Sequence, residues 1–177
     1  MEENLKWYIK SIIIISIIIY LLVDKMFVDK SILENIGKTI SIVIVLSMSY
    51  IHFFWKFNPL SKTPKLHKEY DGFLISEFDG NKREAKIRIV QNLFAIQIYL
   101  KTDESESKAI MSKIYTEYGE KFLVYYYLNT PNANVRNRSE IHYGICRLKI
   151  ENRDRLTGQY FTDRKTLGDI EFESTIS

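Results

Sequence analysis

The sequence predicts a membrane-anchored all-β protein, with two apolar helices at the N-terminus followed by a run of short antiparallel strands. Three observations predict it. Two long Ile/Val/Leu/Phe runs are confined to residues 1–57. From residue 58 onward the composition is that of an ordinary soluble domain. Beyond Tyr70 the apolar residues alternate with period two, between turn residues at hairpin spacing. The mean hydropathy of the whole chain averages two unlike parts and describes neither.

Residues 7–23 and 39–57 form the two runs. Each is long enough to cross a hydrocarbon core of about 30 Å as a helix. Their only charges, Lys10 and Lys56, lie near the run ends, where a lysine can snorkel to the headgroups. Trp7, Tyr8, Tyr50 and Trp55 stand near the outer ends, as in an aromatic belt. A cleaved signal peptide is the competing reading. Asp24-Lys25-Met26-Phe27 follows the first run, with no small-x-small site, and a second apolar run comes after it. The connector between the runs carries three lysines, against six on the two outer flanks. The positive-inside rule then predicts both termini in the cytosol.

Asn58-Pro59 and Thr63-Pro64 end the membrane segment. Candidate strands are residues 70–78, 85–91, 93–101, 107–114, 121–129, 140–150, 156–163 and 168–174. The apolar phase is odd at Ile87 and Ile89 and even from Phe94 to Leu100, which predicts a bulge or corner near Gln91-Asn92. Eight such strands fit a small closed barrel or a sandwich. The predicted organisation is a transmembrane hairpin over 1–57, a linker over 58–69 and a β-domain over 70–177.

The chemistry narrows the functional classes. Residues 58–177 hold 19 of the 25 basic and 17 of the 22 acidic residues, so the β-domain is near +2, too weak a charge for a duplex-DNA binder. Cys146 is the only cysteine, so no intrachain disulfide forms. No nucleotide-loop, nucleophile-elbow or metalloprotease motif is present, and His52, His67 and His142 fall in three different settings. Neither a catalytic residue, a metal nor a cofactor is therefore expected, and His142 reads as a strand histidine with a local hydrogen bond. Asp103, Glu104 and Glu106 read as solvated turn charges rather than an acid–base pair.

Two stretches carry the notable polar chemistry. In residues 140–150, EIHYGICRLKI, one face sets out Tyr143, Arg147 and Lys149. In LTGQYFTDRKTLG, residues 156–168, period two places Gly158, Tyr160, Thr162 and Arg164 on one face. Rings stack on bases and a guanidinium pairs with phosphate through two hydrogen bonds, so this set suits a nucleotide. The plainer reading is Tyr160 as core and Arg164 as a turn residue. Tyr125-Tyr126-Tyr127 is similar, since one or more of the rings must face each side of the sheet.

On these residues the chain resembles the two-transmembrane, β-strand-rich effectors of CBASS, the cyclic-oligonucleotide antiphage systems of bacteria. GQYFTDRKTLG, from Gly158 to Gly168, resembles the family's Gly-x-Tyr-aromatic-Thr-x-Arg element and the Thr-x-Gly after it. His142-x-Gly144 resembles a second element, although Ile145 stands where the family has a small hydroxyl residue. The resemblance covers nearly the whole chain. It implies an eight-stranded antiparallel β-barrel, lipocalin-like in shape, that binds a cyclic dinucleotide. It further implies homo-oligomerisation through helices held in the bacterial inner membrane by residues 7–23 and 39–57, and disruption of that membrane. Tyr160, Thr162, Arg164 and Thr166 are the residues carried over by the matched element, and Arg147, Tyr125 and Tyr127 complete the expected ligand set. The alternatives are a membrane-tethered barrel for a lipid or other apolar ligand, which predicts an apolar interior with no charge near the pocket, and a structural subunit of a membrane complex, which predicts a filled barrel.

Overall fold

The computed structural model describes residues 2–28, 30–59, 61–77 and 80–175. The chain divides into two compact units: Met1–Thr63 with Asn92–Phe94, and Pro64–Gln91 with Ala95–Ser177.

The first unit holds α1 (Glu2–Met26), α2 (Ile32–His52) and a short 3-10 turn (Phe54–Phe57). Both helices extend beyond the apolar runs because polar residues begin or prolong them. Ser31 caps α2, its hydroxyl accepting from the Glu34 amide, so the helix starts seven residues before the predicted 39. It stops at His52 rather than continuing to 57. Asn35 is buried, and its Nδ2 donates to Asp24 Oδ1 at 3.2 Å and to the Phe27 carbonyl at 3.4 Å, which ties the connector to α2. Most Ile, Leu and Val side chains of both helices are exposed, the inverse of a soluble helix pair. Among the described residues one helix, α2, is long and apolar enough to cross a membrane by length and composition. The aromatic belt is only half realised. Trp7 is exposed, whereas Tyr8 and Trp55 are buried in a cluster where Tyr8 stacks on Tyr50 at 5.9 Å and meets Phe94 edge-on at 5.2 Å.

The second unit is an eight-stranded antiparallel meander: β1 (Glu69–Ser76), β2 (Lys82–Gln91), β3 (Ile96–Thr102), β4 (Ser105–Glu117), β5 (Glu120–Pro131), β6 (His142–Ile150), β7 (Arg155–Thr162) and β8 (Leu167–Ser174). β8 pairs back on β1 from Tyr70↔Ser174 to Ser76↔Gly168, which closes a barrel and excludes the sandwich. All eight predicted strands are present. The predicted bulge is not where the phase shift placed it. The chain leaves β2 at Gln91 and starts β3 at Ile96, so the shift reflects a hairpin loop. The irregularity lies instead in β4 between Ala109 and Met111. At the β4–β5 turn Tyr118 and Gly119 both take positive φ, the geometry of a tight two-residue hairpin.

The interior has two unlike halves. Toward the linker end the inward residues are apolar and sealed: Tyr70, Ile87, Ile98, Leu123, Leu148, Leu156 and Phe172 are almost wholly buried. The linker plugs that end. Leu66 joins the core, its amide donates to Gln91 Oε1, and the Tyr70 hydroxyl donates to the Arg153 carbonyl at 2.8 Å. Toward the opposite end the inward positions of the same strands become polar, with Ser76, Ser107, Asn129 and His142 buried.

Candidate functional site

The polar half of the barrel contains a cavity of about 560 Å³. Period-two alternation supplies its walls. β5 turns Leu123, Tyr125, Tyr127 and Asn129 inward, and β7 turns Leu156, Gly158, Tyr160 and Thr162 inward, each strand passing from core to cavity as it rises. Two tyrosines owe their room to glycines on neighbouring strands. A Cβ on Gly144 would lie 2.4 Å from the Tyr127 ring, and one on Gly168 would lie 2.6 Å from the Tyr160 ring.

On the wall just below the rim the Ser107 hydroxyl donates to Asn129 Oδ1 at 2.8 Å. At the rim three arginines contribute: Arg83, Arg138 and Arg164. Arg138 reaches Glu104 at 2.6 Å, so Glu104 serves as an ion-pair partner, and Glu106 pairs with Lys101 at 3.2 Å. Arg164 donates to the Ser139 hydroxyl at 3.3 Å. The turn presenting Arg164 is held by its flanks: Thr162 Oγ1 lies 2.6 Å from Thr166 Oγ1, the Thr166 amide donates back to Thr162 Oγ1, and Lys165 takes φ +60°. The β5–β6 connection, with its short 3-10 turn Ala133–Val135, adds Val135, Arg138 and Ser139 to the rim. It is tied to the β3–β4 turn through the Asn132 amide, which donates to the Glu104 carbonyl at 2.8 Å.

The titratable groups are arranged for a neutral floor and a cationic rim. Burial raises the Tyr125 and Tyr127 hydroxyls above their usual 10, so both remain neutral donors. Burial pushes the Cys146 thiol up to about 12, leaving it inert beneath the cavity. His142 is the strand histidine expected, with Nδ1 2.8 Å from the Glu140 carbonyl. Burial lowers its pKa from 6.5. The Arg164 guanidinium acts in the same direction, while the Glu140 carbonyl and Asp163 oppose. Between that lowered value and 6.5 the unfolded chain binds a proton that the folded barrel refuses. The melting temperature is therefore expected to fall as pH drops from 7 to about 5, and His142→Gln to flatten part of that slope. Scans of both chains across this range check it; parallel slopes would contradict it.

Of the residues singled out by sequence, Tyr125, Tyr127, Tyr160, Thr162, Arg164 and Thr166 line this one cavity. Arg147 does not. It stands on the outer face of β6, with its guanidinium 3.7 Å over the Phe122 ring, 2.7 Å from Glu117 and donating to the Tyr115 hydroxyl. Tyr143 and Lys149 share that outer face. Sequence reasoning missed Arg83, Ser107, Asn129, Arg138 and Ser139. For Asn129 a signal existed, because it continues the inward phase of Tyr125 and Tyr127. No group of three or more His, Cys, Asp or Glu that could hold a metal occurs among the described residues.

Comparison with known proteins gives a concordant result. A family model described as "Cap15, cyclic dinucleotide receptor domain" matches residues 61–174, the linker plug and all eight strands. A curated relative, CD-NTase-associated protein 15 of Staphylococcus schleiferi, is 28% identical over 142 residues, covering 78% of each chain. The match spans the closed barrel and every residue of the Gly158 to Gly168 element, so the resemblance to the CBASS effectors is one of descent, and the chain belongs to the Cap15 cyclic dinucleotide receptor domain family.

Proposed function

We propose that this chain is a CBASS effector that receives a cyclic dinucleotide inside the barrel and converts binding into disruption of the bacterial inner membrane. The observation that carries this reading is the half-apolar, half-polar interior, whose cavity joins three tyrosines to rim arginines. A cyclic dinucleotide brings two phosphate charges and two flat bases. Arg164 and Arg138 suit the phosphates as charge-assisted donors. The Arg138–Glu104 pair is exposed and thus worth at most about 1 kcal/mol, so phosphate can replace the carboxylate. Tyr125, Tyr127 and Tyr160 offer ring faces to the bases, and Asn129 and Ser107 offer polar edges. Thr162 and Thr166 fix the turn that aims Arg164. Arg147, outside the barrel, has no part in this ligand set. The protein acts as a receptor rather than an enzyme.

The charged rim argues against a lipid or other apolar ligand, and a cavity of about 560 Å³ argues against a filled structural barrel. In the proposed mechanism α1 and α2 both lie in the bilayer with both termini in the cytosol, and ligand favours an oligomer by binding it more tightly than the monomer. The test is dye release from anionic vesicles carrying the full-length chain, challenged with a panel of cyclic dinucleotides. Release that follows one nucleotide and is lost in Arg164→Ala supports the proposal. Tight binding with no release would overturn the membrane step, and no binding to any panel member would overturn the receptor reading.

A further inference from the structure

Two inward side chains near the mouth of the cavity each keep a polar atom unused. Asn129 on β5 and His142 on β6 are cross-strand partners; both line the cavity and both are only 7% exposed. Asn129 Oδ1 accepts from the Ser107 hydroxyl, which leaves Nδ2 as a donor with no partner among the described residues. His142 Nδ1 lies 2.8 Å from the Glu140 carbonyl, which can only accept, so Nδ1 carries the proton. At neutral pH the buried ring is uncharged, and its Nε2 is then an acceptor, again with no partner among the described residues. Both atoms open on the cavity rather than being sealed in protein. A donor and an acceptor held side by side on a wall call for a ligand that offers an acceptor beside a donor.

Phosphate cannot meet that demand, because its oxygens only accept and would oppose the Nε2 lone pair. A base edge meets it, since every nucleobase sets an N–H next to an acceptor. A ribose hydroxyl is the other source. Tyr127 decides for the base. It points inward two residues before Asn129 and leans over Gly144, two residues after His142, where an added Cβ would lie 2.4 Å from its ring. An aromatic platform therefore lies directly below the pair, and a base stacked on it turns its edge to Asn129 and His142. On the other side of His142, the register that pairs Gly144 with Thr162 runs on to Arg164, so a phosphate site adjoins the base site.

We infer that His142 and Asn129 read the edge of a base stacked on Tyr127, His142 accepting through Nε2 and Asn129 donating through Nδ2. This rests on the reading that the cavity holds a cyclic dinucleotide, and adds which side chains recognise a base. Ser107 is a positioning residue, fixing the Asn129 amide without touching the base. The charged and titratable groups facing His142 are Arg164 and Asp163 from the β7–β8 turn, Tyr127 from β5 and Glu140 just before β6, with Arg83, Arg138 and Glu104 across the mouth. Acid gives the contact a signature. A proton on Nε2 removes the lone pair, so base reading predicts weaker binding as pH falls below 6.5. A histidine that merely added charge beside Arg164 would bind the phosphates more tightly instead.

The test is calorimetric titration of the full-length chain in detergent with cyclic di-GMP, cyclic di-AMP, cyclic GMP–AMP and cyclic di-UMP, followed further with the tightest binder. From about pH 7.5 to about pH 5 its affinity is expected to fall several-fold. His142→Gln, which keeps an acceptor but cannot titrate, is expected to bind within a few-fold of wild type and to lose that dependence. His142→Leu is expected to cost roughly ten-fold or more at pH 7.5 with the fold intact by circular dichroism. The 2′-deoxy form of the same nucleotide should show the same ratio between wild type and His142→Leu. Affinity that rises in acid, or a pH dependence unchanged in His142→Gln, would overturn the inference. So would a ratio near one with the 2′-deoxy form, which would put the hydroxyl on His142. Failure of wild type to bind any of the four nucleotides would instead sink the underlying reading.

Discussion

Gly158→Ala is expected to break the barrel at its β6–β7 seam. The added Cβ would lie 1.9 Å from the Arg147 carbonyl oxygen and 2.9 Å from the Leu148 Cα. Both obstacles are β6 backbone, from Leu148, which is in register with Gly158, and its neighbour Arg147, so no side chain can swing aside. The two strands must separate, at a cost on the order of 3 kcal/mol. A domain of this size is stable by about 5–15 kcal/mol in total, so the loss should lower the melting temperature by roughly 15 °C. Thermal unfolding of the full-length chain in detergent, followed by far-ultraviolet circular dichroism, reads this directly. A change of only a degree or two would show that the strands are not packed as described. Gly158 thus has a structural role within the family element, one that a loss of ligand binding would otherwise disguise.

Arg164→Ala is expected to produce the converse: lost binding with an unchanged fold. Arg164 is exposed and makes one hydrogen bond, to Ser139, so its removal should shift the melting temperature by no more than about 1 °C. Hydrogen bonds to charged groups contribute roughly 1.5–3 kcal/mol, which corresponds to a loss in nucleotide affinity of roughly 10- to 150-fold. Arg147→Ala supplies the contrast. Its guanidinium is engaged outside the barrel by Glu117 and Tyr115, so ligand affinity should not move. Calorimetric titration of the three chains separates the cases; equal losses in both variants would mean that the ligand is not held in the cavity.

The two arginines also mark the limit of sequence reading. Alternation divides a strand into two faces without saying which is inside. In β6 the conspicuous polar face, Tyr143, Arg147 and Lys149, is the outer one, and the quiet face, His142, Gly144, Cys146 and Leu148, points inward. In β7 the face that sequence singled out, Gly158, Tyr160 and Thr162, is the inner one, so Tyr160 and Thr162 were legible together with Arg164 in the turn beyond them. All eight strands were legible because turn residues punctuate them. Closure was not, since it depends on Tyr70 to Ser76 meeting Gly168 to Ser174 across nearly the whole domain. The bulge was misplaced because a hairpin loop between Gln91 and Ile96 shifts the apolar phase as a bulge would. Helix limits followed hydrophobicity and missed the Ser31 cap, which starts α2 in polar sequence. Ser107 and Asn129 meet only across the β4–β5 ladder, and no local pattern announces a pair 22 residues apart.

If the cavity walled by Tyr125, Tyr127 and Tyr160 and rimmed by Arg164 receives a cyclic dinucleotide, as proposed, the ligand must stabilise the folded barrel. The most direct measurement is a thermal-shift titration of the full-length chain in detergent against cyclic dinucleotides and trinucleotides. A saturable rise in melting temperature with a cyclic dinucleotide, abolished by Arg164→Ala and retained in Arg147→Ala, is the result predicted. A flat response across the panel from a folded, monodisperse protein would contradict it.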